Sequence, residues 1–344
     1  MEKCVGKVYV MNDTDVIRYE DSHEKIWDKF INENSVNGTF LHTRAFLNYH
    51  PKERFKDCSL FICAPQNIYQ PYAVVPACEY MEDNQKVFYS HMGSTFGGII
   101  ISSAHYTVLD ISDFADCLDK WLANNAYYKV ILKITPDIFS QEKTDLLQYL
   151  LWNKGYEQYT ELSTYIDFSI YSDDLLSNFN RRKQRDVKKC SEHSLEGKFF
   201  EKPGEIEIFY TLLCENLLKH NTKPVHTIEE IFALKSRLEN IVTFYGIYDG
   251  EQMVAGAMLF FFKNTNTYHI QYSCAKQGIK EYSPMPYLFY KLIEFSHVSN
   301  ARFLSFGIST EQKGQVLNMG LIKAKEEYGV NFSLNRTFYK IVKG

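Results

Sequence analysis

One short polar segment carries side chains suited to acid–base chemistry or to metal binding. His220, His226 and Glu230 lie close together, and His226 and Glu230 have the i, i+4 spacing of neighbours on a helix face. No third strong ligand has the spacing of a zinc site, and Pro224 interrupts the segment, so no metal site is predicted. The segment is interpreted as a polar wall of a substrate cleft with His226 as a candidate catalytic residue. The alternative is structural hydrogen bonding, with Thr227 as a helix N-cap.

The segment Tyr268–Ser273 has the alternating pattern of a β-strand, which presents successive side chains to opposite faces. Either the set that contains Tyr272 or the set that contains Gln271 faces a cleft. Tyr272 is a candidate catalytic residue, and Gln271 is a candidate substrate-binding residue. The alternative for Tyr272 is packing in the core. A cysteine nucleophile is not predicted, although Cys274 lies near His269 in the chain.

Cations are concentrated in one predicted helix, which spans Leu175–Cys190. They surround a single acid, Asp186, and are Arg181, Arg182, Lys183, Arg185, Lys188 and Lys189. Arg181 and Arg185 lie on one helix face and are candidate substrate-binding residues, because such a cluster can bind phosphate. The alternative is a solvated helix face.

A loop before a predicted helix is a candidate anion site. The helix spans Met285–Ser299, with Ser283-Pro284 as its N-cap and first turn. Backbone N–H groups and the helix dipole at such an end favour a phosphate. The candidate cofactor-binding residues of this loop are Gln277, Gly278, Lys280 and Ser283.

Composition limits the class of protein. The chain has 344 residues and a formal net charge of −4, so a general nucleic-acid binder and a partner DNA are not expected. Its 45% hydrophobic and 23% charged residues are typical of a globular protein. The N-terminus has no apolar signal segment, and no apolar run is long enough for a transmembrane helix, so a cytoplasmic location is expected. The eight cysteines form no CxxC pair and are predicted to be free thiols.

The order of predicted elements repeats along the chain. In each half, strands lead to a loop, a helix and a buried strand; the buried strands are Lys129–Ile134 and Arg302–Phe306. Other predicted strands include Gln70–Cys78, Ser163–Phe168, Val242–Tyr248, Val254–Phe262 and Thr267–Ser273. Other predicted helices include Phe114–Asn125, Ser140–Lys154, Ile206–Lys219 and Ile228–Leu238. The sequence predicts an α/β protein with two domains of mixed sheets, residues 1–160 and 161–344, and a cleft between them.

Several segments together resemble the FemABX-related group of GNAT-like acyltransferases. The closing segments Phe303–Glu311, Leu317–Leu321 and Lys323–Gly329 resemble that group's pattern FGxS…NxGL…KxxxG, although Ser305 stands where many relatives have Asp. Further similar segments lie along most of the chain: Asn37–Phe46, Ser94–Gly98, Asn180–Lys189 and the positions Asn216, His220, Pro224, His226, Thr227 and Glu230.

The resemblance implies two tandem GNAT-like domains and site residues. It makes Asn216, His220, Glu230, Ser309, Asn318 and Lys325 candidate substrate-binding residues, with helix capping as the alternative for Asn318. It implies that Tyr272 is a general acid for a leaving thiolate. The loop around Gly278 corresponds to the pyrophosphate loop of acyl-CoA enzymes, but it lacks the second glycine of that loop's pattern.

Three functions follow from the resemblance. The first is transfer of an acyl group from acyl-CoA, as co-substrate, to an amine on an amino sugar or a cell-envelope or polysaccharide precursor. The second is an aminoacyl-tRNA-dependent transferase of the FemX type, for which no coiled-coil arm is found in the sequence. The third is a non-catalytic binding protein with a degenerate GNAT fold, which the incomplete Gly278 loop and Ser305 favour.

Overall fold

A computed structural model describes residues 14–219 and 221–342 and shows a mixed α/β protein. We call the elements up to β9 the N-terminal half. In chain order they are β1 (Asp15–Arg18), α1 (Glu24–Lys29), α2 (Arg44–Leu47), β2 (Lys56–Asp57), β3 (Leu60–Cys63), β4 (Ala73–Val75), β5 (Cys78–Glu82), β6 (Gln85–Ser90), β7 (Ile100–Ile101), α3 (Val108–Asn124), β8 (Tyr127–Lys133), α4 (Asp145–Asn153) and β9 (Glu157–Asp167).

The remaining elements form the C-terminal half. They are α5 (Arg181–Glu192), β10 (Glu196–Phe200), α6 (Pro203–Leu218), α7 (Ile228–Arg237), β11 (Val242–Asp249), β12 (Gln252–Phe262), β13 (Thr267–Ala275), α8 (Pro284–Val298), β14 (Phe303–Ile308), β15 (Thr310–Glu311), β16 (Val316–Leu317), α9 (Met319–Glu326) and β17 (Asn331–Ile341).

One eleven-stranded sheet joins the two halves in the order β10-β11-β12-β13-β14-β9-β17-β8-β6-β5-β2. The last strand of each half pairs with a strand of the other half: β9 lies against β14, and β17 lies against β8. β9 and β17 also pair with each other along nine positions. The predicted boundary between residues 160 and 161 falls within β9, and the division into two domains stays a prediction.

Several helices begin at the capping residues that the sequence indicated. Thr227 accepts a hydrogen bond from the backbone of Glu230 at the start of α7, and Asn318 accepts one from Leu321 at the start of α9. Both caps confirm the sequence-based expectation. Asn180 likewise caps α5, which is why the predicted helix Leu175–Cys190 is divided into a short 3-10 turn and then α5.

Other predicted elements differ in extent. Of the predicted strand Gln70–Cys78, only Ala73–Val75 forms a strand, β4, before Pro76, which has no backbone N–H for a continuous ladder. The next strand, β5, begins at Cys78 and continues to Glu82. The helix predicted over Phe114–Asn125 begins earlier, at Val108, because Thr107 caps it. The short strands β1, β2, β7, β15 and β16 and the longer strands β10 and β17 were not predicted from the sequence.

Two halves share one hydrophobic core. Phe40, Phe96 and Phe139 of the N-terminal half pack in the same cluster as Phe260 and Phe262 of β12. The rings of Phe139 and Phe262 are 4.2 Å apart between centroids. This shared core fixes the faces of the halves on either side of a cleft.

Among the described residues all seven cysteines are free, as expected; Cys58, Cys63, Cys78, Cys190 and Cys274 are buried, and Cys117 and Cys214 are partly buried. Over the same residues, no helix has both the length and the apolar character that a membrane crossing requires.

Candidate functional site

A cavity of about 390 Å³ lies where the two halves meet. Strands β8, β9 and β17 supply polar side chains to its lining, and strands β12, β13 and β14 supply other lining residues. Aromatic side chains of the shared core, including Phe96, Phe139 and Phe262, line it as well. The cavity therefore combines apolar surface with a few polar groups, which is typical of small-molecule sites.

A second pocket of about 210 Å³ adjoins the first. Thr95, Phe260 and Gln271 line both, so the two pockets meet at Gln271. The smaller pocket is lined by His50 and Arg54 of the N-terminal half and by Val225 and His226 of the C-terminal half, among others. The two pockets form one continuous cleft between the halves.

The structure brings the two predicted catalytic side chains into contact. His226 Nδ1 lies 2.6 Å from the hydroxyl oxygen of Tyr272. Burial lowers the pKa of His226 to about 4, so its imidazole is neutral at pH 7. Burial raises the pKa of Tyr272, although interactions with the backbone of His226 and the side chain of Gln271 oppose this change. The tyrosine O–H can donate to Nδ1 of the neutral ring.

A β-bulge explains how β13 presents its side chains. Met258 of β12 pairs with Tyr272 and Leu259 pairs with Ile270, so Gln271 is the extra residue. Neither alternation that the sequence suggested holds through the strand, because the bulge changes its phase. His269 and Gln271 line the larger cavity, while Tyr272 reaches His226.

Strands β13 and β14 separate beside the cavity. Their parallel pairing covers Thr267–Phe303, Tyr268–Leu304 and His269–Ser305, and β13 then continues to Ala275. A strand that diverges from its neighbour leaves backbone N–H and C=O groups available to an extended ligand. The opening lies where Ile270 and Gln271 line the cavity.

Glu230 has structural partners on both sides of the cleft. Its carboxylate pairs with Arg54 of the N-terminal half and accepts a hydrogen bond of 2.8 Å from the backbone of Thr227. Burial raises the pKa of Glu230, but the bonds to Thr227 and Arg54 outweigh it and the net change is downward. These contacts hold His226, the residue before Thr227, against the N-terminal half. His220 lies outside the described residues.

Asn216 is held by backbone groups away from the pocket linings. Its Nδ2 donates to the carbonyl oxygen of Ala275 at 2.9 Å, and its Oδ1 accepts from the amide of Ala275 at 3.2 Å. Asn216 thus ties α6 to the end of β13. Its assignment to substrate binding stays a prediction.

The predicted cofactor loop is exposed and open. Gly278 has φ +82°, and a side chain there would meet nothing within 4 Å. Gln277 and Lys280 are exposed, and the Ser283 side chain makes no cap hydrogen bond. Pro284 and Pro286 occupy the first turn of α8 and have no N–H groups, so this helix end offers fewer donors to a phosphate than the sequence-based argument assumed.

The basic helix α5 packs against α8 and so lies near that loop. The Cys190 thiol contacts the carbonyl oxygen of Ser283 at 3.2 Å. Arg181 and Arg185 are exposed, as are Arg182, Lys188 and Lys189, while Val187 and Cys190 are buried. The exposed side of α5 therefore carries a dense positive charge beside the predicted donor loop.

The three polar residues that follow β14 take different positions. Lys325 is buried, and its Nζ donates to the carbonyl oxygens of Gly307 and Ile308 at 2.9 Å each. Burial lowers the pKa of Lys325 to about 7. Ser309 is buried with its Oγ unpartnered among the described residues, and Asn318 caps α9. Gly307 and Ile308 line the cavity, so Lys325 shapes its wall from behind.

Sequence reasoning missed the charged residues of the larger cavity. Lys133 and Glu161 both line it, as do Asn335 and the hydrogen-bonded pair His269 and Ser305, whose Nδ1 and Oγ atoms are 3.0 Å apart. Lys133 directly follows the apolar residues Val130–Leu132 in a strand predicted to be buried, and this was a signal that could have been used.

Comparisons with known proteins concern the fold. No protein-family model matches the sequence, and no curated protein matches it. A structure described as FemX matches with a TM-score of 0.68 and 10% identity, over 95% of this chain and 97% of that one. The C-terminal domain of a putative lysylphosphatidylglycerol synthetase from Agrobacterium fabrum matches with a TM-score of 0.59 and 8% identity, over 94% and 92%.

A tandem GNAT protein from the clavulanic acid biosynthesis pathway matches with a TM-score of 0.53 and 5% identity, over 96% of this chain and 99% of that one. At such identities the likeness concerns the chain path and not the site residues. The coverage of nearly the whole of each chain includes both halves and the sheet that joins them. The chain therefore has the fold of FemX and of this tandem GNAT protein, which confirms the fold expected from the sequence.

Proposed function

We propose that this protein is an acyltransferase that moves an acyl group from an activated carrier to an amine. The observation that carries the proposal is the separation of β13 from β14 at the wall of a cavity that the His226 and Tyr272 pair adjoins. The free edge of β13 holds an extended acyl carrier by backbone hydrogen bonds, and its N–H groups polarise the reacting carbonyl. The likeness to FemX and to a tandem GNAT protein supports the same chemistry.

The His226 and Tyr272 pair supplies the proton that the leaving group needs. Neutral His226 carries its proton on Nε2 when Tyr272 donates to Nδ1. As the thioester C–S bond breaks, Nε2 gives its proton to the thiolate and Nδ1 takes the phenolic proton. The same interactions with the His226 backbone and the Gln271 side chain that lower the pKa of Tyr272 favour the phenolate that forms. Proton transfer of this kind contributes about 10²- to 10⁴-fold to a rate.

Acyl-CoA is the first proposed carrier. The open loop at Gly278 gives a pyrophosphate room to approach the backbone, and Lys280 adds a positive charge. The acceptor is an amine on an amino sugar or on a cell-envelope or polysaccharide precursor, and the protein acts in the cytoplasm.

Aminoacyl-tRNA is the second candidate carrier, and one observation favours it. Pro284 and Pro286 remove N–H donors from the helix end that a CoA pyrophosphate would use, while the adjacent α5 presents Arg181, Arg185 and other exposed cations. A polyanion binds such a surface through many phosphates, and its affinity falls steeply with salt.

A thermal-shift experiment separates these carriers. Acetyl-CoA, longer acyl-CoAs and free CoA are each added to the purified protein, and stabilisation at saturating ligand supports the acyl-CoA enzyme, since a ligand at 100 times its dissociation constant adds about 2.7 kcal/mol. An amine panel then tests turnover. No shift with any CoA compound, together with salt-sensitive retention of aminoacyl-tRNA, supports the second carrier. Loss of both responses contradicts the transferase and leaves the non-catalytic alternative.

A further inference from the structure

Two groups of opposite charge line the larger cavity from neighbouring strands. Lys133 of β8 is the register partner of Thr337 on β17, and Glu161 of β9 is the partner of Asn335 on the same strand. β17 lies between β8 and β9, so the cation and the anion occupy the same cavity wall with one strand between them.

Glu161 has no hydrogen-bond donor or ion-pair partner among residues 14–219 and 221–342. Its side chain is only partly accessible, and burial raises the pKa of this carboxyl, although the positive charge of Lys133 opposes the change. Its carboxylate oxygens are not closed off from solvent, so they can accept hydrogen bonds from a ligand that enters the cavity. A cationic or hydrogen-bond-donating ligand in the cavity would satisfy them.

Lys133 has one hydrogen-bond acceptor among the described residues and lies over the ring of Tyr89, with its Nζ 5.9 Å from the ring centroid. Its Nζ donates to the carbonyl oxygen of Ser94 at 2.8 Å, and no ion pair joins it to Glu161. Burial lowers the pKa of Lys133, and the negative charge of Glu161 opposes this. An ammonium group has three donors, so two remain for an anion in the cavity. Asn335, opposite Glu161, also has an Oδ1 atom without a partner among the described residues.

We propose that the larger cavity is the acceptor site and takes a compound with an amine at one end and an anionic group, phosphate or carboxylate, at the other. The amine lies against Glu161 and the anion against Lys133. This assignment rests on the proposed function for its reaction step, but the binding itself does not require turnover. Charge complementarity of both ends gives orientation as well as affinity.

The reaction step follows from this placement. The bound ammonium gives one proton to Glu161 and becomes a neutral amine. Its nitrogen lone pair forms the bond to the acyl carbon while the C–S electron pair leaves with sulfur. The second proton of the nitrogen passes to solvent water as the amide forms. The thiolate takes a proton from Nε2 of His226, and the phenolate of Tyr272 regains its proton from water after the products leave. In this step Glu161 is the general base for the amine, and His226 is the general acid for the leaving group.

Binding of matched sugars tests the proposal without an acyl donor. Glucosamine 6-phosphate has both charges, glucosamine has the amine alone, and glucose 6-phosphate has the phosphate alone; 2-amino-2-deoxyglucuronate replaces the phosphate by a carboxylate. Titration calorimetry is expected to show at least tenfold tighter binding for one of the doubly charged sugars than for either singly charged one. Equal affinities, or no binding of any probe, overturn the proposal.

Two variants test which end of the ligand binds to Glu161 and which binds to Lys133. Glu161→Gln is expected to remove the advantage of the amine and leave that of the anion, and Lys133→Met is expected to do the reverse. Leu334→Ala, on the exposed side of β17, is the matched control and should bind like the parent. Thermal unfolding checks that each variant folds. Unchanged affinities in both cavity variants overturn the assignment even if the sugars bind.

The proposed acceptor site and the proposed transferase activity can be contradicted independently of each other. Charge-dependent sugar binding without acyl transfer from any carrier would leave the site and remove the proposed function. Acyl transfer to amines with unchanged kinetics in Glu161→Gln and Lys133→Met would keep the function and remove the site. In an active enzyme, Glu161→Gln is expected to lower kcat and to remove the acidic limb of its pH profile.

Discussion

The Nδ1 atom of His226 lies 2.6 Å from the Tyr272 hydroxyl, although the residues are 46 positions apart in the chain. The contact joins the segment before α7 to the bulged part of β13. Because burial holds the ring neutral and raises the pKa of the phenol, the pair is suited to moving one proton rather than to holding a charge.

Removal of the Tyr272 hydroxyl is expected to lower kcat about 100-fold or more, since the relay to the leaving group loses its second proton. Tyr272→Phe keeps the ring, so KM for the acyl carrier should change little. Steady-state kinetics with a responsive amine measures both values.

Tyr210→Phe is the matched control for that variant. The Tyr210 hydroxyl donates to the backbone carbonyl of His226 at 3.2 Å. Removing this hydroxyl therefore removes a contact to His226 that takes no part in the proton transfer. An equal fall in kcat in both variants would assign the effect to the position of His226. An unchanged kcat in Tyr272→Phe would contradict the relay.

Part of this site was predictable from the sequence. His226 and Tyr272 were each selected by residue type and setting, and the N-caps Thr227 and Asn318 were recognised from local patterns that act within one turn. Their contact was not predictable, because it depends on a bulge at Gln271 that the alternating pattern does not signal.

Long-range pairing explains the rest of what the sequence missed. β17 has exposed Phe332 and Leu334 on one face and polar residues on the other, so it lacks the apolar pattern of a buried strand. Its place between β8 and β9 brings Lys133 and Glu161 to one wall. Such a wall forms only when strands far apart in the chain pair, and no local motif records it.

Lys325 makes stability depend on pH in a defined direction. Its pKa is about 7 in the folded protein, below the value of 10.5 for an unperturbed lysine. The unfolded chain therefore binds more protons between these values, and stability contributed by this residue rises with pH from about 7 to 10.5. From pH 7 to pH 9 the gain is on the order of 2 kcal/mol.

Urea unfolding at pH 7 and pH 9 measures that gain. Lys325→Met also loses the hydrogen bonds to Gly307 and Ile308, so its absolute stability is not the test. The test is the difference between the two pH values, which should be smaller in the variant than in the parent. An equal difference in both proteins would show that Lys325 stays charged when folded.

The exposed cations of α5 are expected to bind the acyl carrier. Arg181→Ala combined with Arg185→Ala should raise KM for the carrier and leave kcat and the free energy of unfolding nearly unchanged, because exposed substitutions rarely alter stability by more than about 0.5 kcal/mol. Kinetics at two salt concentrations and thermal unfolding check this.

A matched pair on α1 controls for net charge. Lys25 and Lys29 are exposed and have the same i, i+4 spacing as Arg181 and Arg185. Replacing Lys25 and Lys29 by Ala removes the same charge. If both double variants raise KM equally, the change comes from the net charge of the protein, and α5 is not the surface that binds the carrier.

A substitution of Phe262 tests whether the stability of both halves depends on their shared core. Its ring packs against Phe139 at 4.2 Å and Phe40 at 4.8 Å between centroids, both in the N-terminal half. Phe262→Ala is expected to lower the free energy of unfolding by about 3–5 kcal/mol. If the halves unfold together, the denaturation curve should shift as one transition; two separate transitions would show that this contact does not couple them. Phe199→Ala, at a partly exposed ring on β10, is the control and should cost less.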